Sequence, residues 1–172
     1  MRGLTDRDTL SRFMRELGAA ATADARVYFT GGVTAVLLGW RDSTIDIDLE
    51  LVPDHDELLR AIATLKDRLQ INVELAAPSH FIPELPGWEI RSLFITSEGR
   101  LSFYHYDLYA QALAKIERDH AQDRLDVMAM REAGLVLPDR LRELFAAIEP
   151  EMYRYPAIDP RSFRAAVDAA TQ

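Results

Sequence analysis

Polar and apolar positions alternate over Ser43 to Leu51, in the run STIDIDLEL. That period of two predicts a strand, with Ile45, Ile47 and Leu49 on a core-facing side and Asp46 and Asp48 together on the other. A second apolar run, Arg26 to Thr30, predicts a strand before Gly31 and Gly32. These glycines read as a turn, followed by a short helix over VTAVLLGW. Ile71 to Ala77 predicts a third strand, with Ile71, Val73 and Leu75 inward and Asn72 and Glu74 outward. Thr5 with Asp8 has the form of a capping box, opening a helix through about Leu17. Asp54 or Asp56 opens another, whose apolar stripe is Leu58, Leu59, Ile62 and Leu65.

Three prolines mark Pro78 to Gly87 as loop, and Glu89 to Asp107 reads as a hairpin turning at Glu98 and Gly99. Beyond Asp107 the period becomes helical, over about 108–119, 121–133 and 138–148. Glu149 to Pro160 is expected to cross in extended form, with Tyr153 and Tyr155 anchoring it, before a last helix over Ser162 to Ala170. The fold class is α+β: a small mixed sheet with flanking helices over 1–107, then a helical lobe over 108–172 packed on it as one compact unit.

Composition adds little to this. Of the 172 residues, 48% are hydrophobic and 28% charged, enough for a true core. The absence of cysteine excludes disulfides and thiolate metal sites. The net charge of −8 argues against broad electrostatic binding of nucleic acid. The charged N-terminal segment has no signal-peptide character, and no apolar run reaches a membrane span, so a cytoplasmic protein without a membrane partner is expected.

The aspartates change the picture more. Asp46 and Asp48 lie about 6.6 Å apart along a strand. Such a pair repels by about 3 kcal/mol at an effective dielectric of about 20. A hard cation reverses that cost, and an oxygen-only set suits Mg²⁺ or Mn²⁺. Glu74 joins the pair if its strand lies beside theirs. Three carboxylates around Mg²⁺ point to phosphoryl or nucleotidyl transfer from an NTP. Gly31 and Gly32 then let the backbone approach a phosphate closely, with Arg41, Ser43 and Thr44 as further phosphate donors.

Strand, Gly31-Gly32, thirteen residues, then Asp46-Ile47-Asp48-Leu49 resembles the polymerase-β-like nucleotidyltransferase superfamily. The run YDLYAQALAKIERDHAQDRLDVMAM is similar to the C-terminal motif of its abortive-infection toxin (AbiEii-like) branch. That branch carries a lysine, then Asp-x-x-Asp on the next helix; Lys115, Asp123 and Asp126 stand at those positions. The resemblance implies that Lys115 contacts nucleotide phosphate and that an aspartate, Asp126, acts as a base. It departs at Gln122, where the branch has arginine; Arg118 lies four residues upstream. Outside the resemblance, Lys115 with Asp119 reads as an ordinary surface pair. His80, His105 and His120 lack zinc-ligand spacing and read as structural.

The function expected is transfer of NMP from an NTP to an acceptor hydroxyl. Asp46, Asp48 and Glu74 are the metal ligands, and the acceptor is an RNA end, a protein or a small molecule. The alternative is a catalytically weak nucleotide-binding or regulatory protein of a toxin–antitoxin-like pair, with a cognate antitoxin as partner. A metal-dependent phosphohydrolase is a third reading.

Overall fold

The computed structural model describes residues 2–172. In chain order the elements are β1 (Thr5–Asp6), α1 (Arg7–Ala20), β2 (Ala25–Thr30), α2 (Gly32–Leu38), β3 (Ser43–Thr44), β4 (Asp46–Val52), α3 (Asp56–Leu69) and β5 (Asn72–Leu75). Then come α4 (Trp88–Arg91), β6 (Leu93–Glu98), β7 (Leu101–His105), α5 (Leu108–Arg118), α6 (Ala121–Glu132), α7 (Pro138–Ile148) and α8 (Pro160–Ala170). They divide into two units. One holds the chain through Ala77 plus Ser92–His105; the other holds Pro78–Arg91 and Tyr106–Gln172. Residues 78–91, read from sequence with the sheet, therefore group with the helices.

In the first unit, five strands form a mixed sheet in the order β5-β4-β2-β7-β6. β4 runs antiparallel to β2 and parallel to β5, and β7 runs parallel to β2. The expected hairpin is present as β6 and β7, although its first strand begins at Leu93 rather than Glu89. One sheet face is apolar: Val27, Phe29, Ile47, Leu49 and Phe103 are buried against Phe13 and Leu17 of α1 and Leu58 and Ile62 of α3. The amphipathic stripes of these helices supply the other side of the core. Across β2 and β7, Phe29 and Phe103 stack with ring centroids 5.7 Å apart.

Three local expectations change. The cap of α1 is Asp6, whose carboxylate accepts from the Thr9 amide at 2.9 Å. Thr5 instead pairs with Thr44 in a two-stranded sheet, which takes it out of the capping position. That pairing also breaks the expected long strand in two. Ile45 stands between β3 and β4 and is 69% exposed, so the apolar alternation begins at Ile47. Leu75, at the end of β5, is likewise exposed. The cap of α3 is His55, not Asp54 or Asp56, and makes no side-chain capping bond.

In the second unit, Asp107 caps α5 through the Tyr109 amide and takes two hydrogen bonds from Arg91, at 2.7 and 3.1 Å. Trp88 stacks flat on Tyr106 at 4.3 Å. Phe145 of α7 meets Phe163 of α8 edge-on at 4.9 Å. The segment expected to be extended is a 3-10 helix over Glu149–Arg154. Tyr155 does anchor it, donating its hydroxyl to the Ser79 carbonyl at 2.8 Å, whereas Tyr153 is exposed.

Candidate active site

The acidic strand has the expected parity. Ile47 and Leu49 are fully buried, and Asp46 and Asp48 are half-buried on the opposite face. The parallel pairing of β4 with β5 sets Asp46 beside Asn72 and Asp48 beside Glu74. Four polar side chains thus form one block. Asn72 connects it: its Nδ2 donates to Asp46 Oδ1 and, at 3.3 Å, to Glu74 Oε1. An amide donor between two carboxylates offsets part of their mutual repulsion. On the other side of β4, Thr30 of β2 is the register partner of Asp48.

The two glycines next to this block have different reasons to be glycine. Gly31 has φ of 66°, in the region that disfavours side chains. A Cβ there would stand 3.0 Å from Asp48 Oδ2, so the missing side chain admits this carboxylate to the turn. Gly32 is buried in the first turn of α2, without positive φ. Its Cβ would stand 2.0 Å from Thr44 Oγ1, closer than atoms can approach. Close packing against Thr44 therefore requires Gly32. Thr44 is itself buried, and its hydroxyl donates to the Asp46 carbonyl at 3.0 Å. Through that bond Thr44 links the glycine turn to the acidic strand. Arg41 comes near the turn: its Nη1 is 3.4 Å from the position a Gly32 Cβ would take. Ser43 lies in β3, beside Asp6 and partly exposed.

A further support sits under α2. His105, on β7 beside Phe29, is buried, and its Nδ1 lies 3.1 Å from the buried hydroxyl of Thr34. Burial pushes its pKa down to about 4, so the ring is neutral at physiological pH. The structural reading of His105 holds, but sequence contained no sign of its partner 71 residues away.

The helical unit holds a second polar cluster. Lys115 is buried, and its Nζ lies 2.8 Å from Asp126 Oδ2 and 3.5 Å from Asp123 Oδ1. Arg118 grips Asp123 with two hydrogen bonds, at 2.8 and 2.6 Å. The His120 amide also donates to Asp123, and Gln122 donates to Asp126 at 3.2 Å. Two cations thus face two carboxylates. Burial works against ionising Asp123, but hydrogen bonds from Arg118 and the charges of Lys115 and Arg118 hold its carboxyl below the usual range. The expected pair of Lys115 with Asp119 is not formed; Asp119 binds Arg124 at 2.7 Å. The loop after α5 folds α6 back, which brings the aspartates one and two turns into α6 onto the lysine. Gln122, the departure from the branch pattern, is thereby tied to Asp126.

Asp46, Asp48 and Glu74 of this block offer carboxylate oxygens, the chemistry of a hard-cation site. Among the described residues, no three His, Asp or Glu side chains are grouped to hold a metal ion by themselves. Mg²⁺ does not need three, because it commonly takes one or two carboxylates and completes its shell with substrate phosphates and water. Asp46 and Asp48 fit that requirement, with Glu74 beside them. No helix among the described residues is long and apolar enough to cross a membrane.

A family model described as a nucleotidyltransferase of unknown function (DUF6036) matches residues 9–167. That span includes the glycine turn, the acidic strand, Asn72, Glu74 and the Lys115 cluster. No curated protein and no solved structure matches the chain. With nearly its whole length covered, this chain belongs to the nucleotidyltransferase family of that description.

Proposed function

We propose that this protein is a metal-dependent nucleotidyltransferase that moves NMP from an NTP to an acceptor hydroxyl and releases pyrophosphate. The observation that carries the reading is the seating of Asp48 against Gly31, with Asp46 on the same sheet face. Two carboxylates share that sheet face beside a glycine turn whose φ at Gly31 is 66°. Asp46 and Asp48 would hold Mg²⁺ or Mn²⁺, with Glu74 completing the acidic group. Bound there, the metal supplies charge neutralisation on the phosphate oxygens and polarisation of the attacking hydroxyl.

The chain's own residues do the rest by placement. Gly31, Arg41 and Ser43 hold the triphosphate, and Gly32 and Thr44 keep the turn in register with Asp46. Glu74, exposed next to Asp48, polarises the acceptor hydroxyl. The acceptor oxygen attacks the α-phosphorus, its proton passes to the Glu74 carboxylate, and the bond from the α-phosphorus to the oxygen it shares with the β-phosphate breaks, so that pyrophosphate leaves. Catalysis is then chiefly positioning and charge stabilisation. Lys115, Asp123 and Asp126 carry the likeness to the abortive-infection toxin branch. Lys115 is the cation assigned to phosphate, and Asp126 orients it through their ion pair.

The same ion pair favours a second reading, a weakly catalytic nucleotide-binding protein of a toxin–antitoxin-like pair, because it keeps Lys115 occupied. The test is incubation with each α-labelled NTP, Mg²⁺ and a total cell extract. Label transferred to an RNA, protein or small molecule, and absent with Asp48→Asn, supports the transferase. Nucleotide retained on the protein with no labelled product supports the second reading. Release of labelled NMP or inorganic phosphate alone sinks both in favour of a hydrolase.

A further inference from the structure

Asn72 is placed to decide how the carboxylates of the acidic block are turned. It opens β5 directly beside Asp46, and Glu74 follows two residues later on the same sheet face. β5 is an outer strand of the five-stranded sheet, so its side chains have a neighbouring strand on one side only. An amide at this position can reach across to β4 and along β5, and it does both. Its Nδ2 donates to Asp46 Oδ1 and to Glu74 Oε1. An amide nitrogen carries two hydrogens, and these two bonds use them both. Each carboxylate gives Asn72 one oxygen and keeps the other.

The backbone that carries Asn72 is held from outside the sheet. The Gly3 amide donates to the Gln70 carbonyl at 3.2 Å, and Arg2 Nη1 donates to the Ile71 carbonyl at 2.8 Å. Arg2 is also paired with Asp67 of α3 at 2.8 Å. Ile71 and Val73, on either side of Asn72, are buried. A side chain on a backbone fixed in this way can orient its partners, because its own position does not depend on them. Relief of repulsion alone would need only a donor near the carboxylates. One bond to each of two carboxylates does more, because it selects which oxygen of each is turned away.

We infer that Asn72 is a positioning residue for the cation: it holds Asp46 Oδ1 and Glu74 Oε1, leaving the second oxygen of each carboxylate for the metal. This inference rests on the reading of Asp46, Asp48 and Glu74 as the metal ligands. Removing a hydrogen-bonding partner of a ligand typically weakens metal binding about 10- to 100-fold.

Mn²⁺ alone is the probe, titrated into the intact protein and followed by the paramagnetic resonance signal of the free ion. Wild type should bind it, and Asp48→Asn should lose that binding. Asn72→Leu has nearly the size of asparagine and no donor, and should weaken Mn²⁺ about tenfold or more. Asn72→Gln supplies a donor again and should bind Mn²⁺ more tightly than Asn72→Leu. Melting temperatures without metal register any structural loss separately. Asn72→Val, with a residue that favours strands, carries the same expectation if Asn72→Leu does not fold. The inference is overturned if the variants without a donor bind Mn²⁺ as tightly as wild type, whatever their stability, or if Asn72→Gln binds no better than they do. Absence of binding in wild type, or binding that survives Asp48→Asn, would overturn the ligand reading and this inference with it.

Discussion

Thr44 stands where a side chain at Gly32 would have to go: the two are so close that a Cβ on Gly32 would meet Thr44 Oγ1 at 2.0 Å and Thr44 Cβ at 2.7 Å. Through the bond from Thr44 to the Asp46 carbonyl, this contact sets the height of the glycine turn against the acidic strand.

Gly32→Ala should therefore destabilise the fold itself, by about 1–3 kcal/mol as overpacking commonly does. Thr44→Gly in the same chain should recover part of the loss by vacating the space. Urea unfolding midpoints of the single and double variants test this, and an unchanged midpoint for Gly32→Ala would refute the contact. Gly31→Ala should behave differently. It strains a positive φ and crowds Asp48, so nucleotide affinity should fall by more than stability does.

Asp48→Asn removes one charge from the crowded face of β4 and β5. Without ligand, the variant should melt at the wild-type temperature or above it. With Mg²⁺ and NTP at 100 times the dissociation constant, wild type should gain about 2.7 kcal/mol and the variant little. Thermal shifts measured with and without both ligands separate these outcomes. An equal gain in both proteins would place the ligand elsewhere.

Lys115→Ala strands Asp126, which is fully buried, without its cation. Loss of one partner of a buried ion pair typically costs about 3–5 kcal/mol, far more than loss of a surface pair. Replacing both residues, as Lys115→Met with Asp126→Leu, should return most of that stability. Denaturant titrations of wild type and the two variants provide the check. A single variant as stable as wild type would mean that the pair is not buried in solution.

His105 ties stability to pH. Its folded pKa is lowered to about 4, whereas an unfolded histidine titrates near its ordinary value of 6.5. Between these values the unfolded chain binds the extra proton, so stability rises with pH across that window and falls as pH drops through it. At about 1.4 kcal/mol per pH unit, the change over the window is about 3 kcal/mol. His105→Gln should flatten this limb of a stability–pH curve while Thr34 keeps a hydrogen-bonding partner. A limb of unchanged slope in the variant would assign it to other groups.

Alternation along β4 and β5 already determined that Ile47, Leu49 and Val73 turn inward while Asp46, Asp48, Asn72 and Glu74 turn outward, because strand parity is a local property of backbone geometry. Helical periodicity likewise located α5, α6 and α7 to within a residue or two, and the glycine spacing pointed to the family. Pairings between distant segments were decided only by the tertiary structure. β1 takes Thr5 from its capping position and cuts Ile45 out of the core strand, although nothing near either residue encodes the other. Asn72 bridges Asp46 and Glu74 only because β4 and β5 lie parallel in one register; a slip of one residue would turn the amide to the opposite face. Lys115 looked like a surface partner of Asp119, since i and i+4 are neighbours on any helix. The fold of α6 against α5 buries it on Asp126 instead, and in the low-dielectric interior that contact governs its energetics.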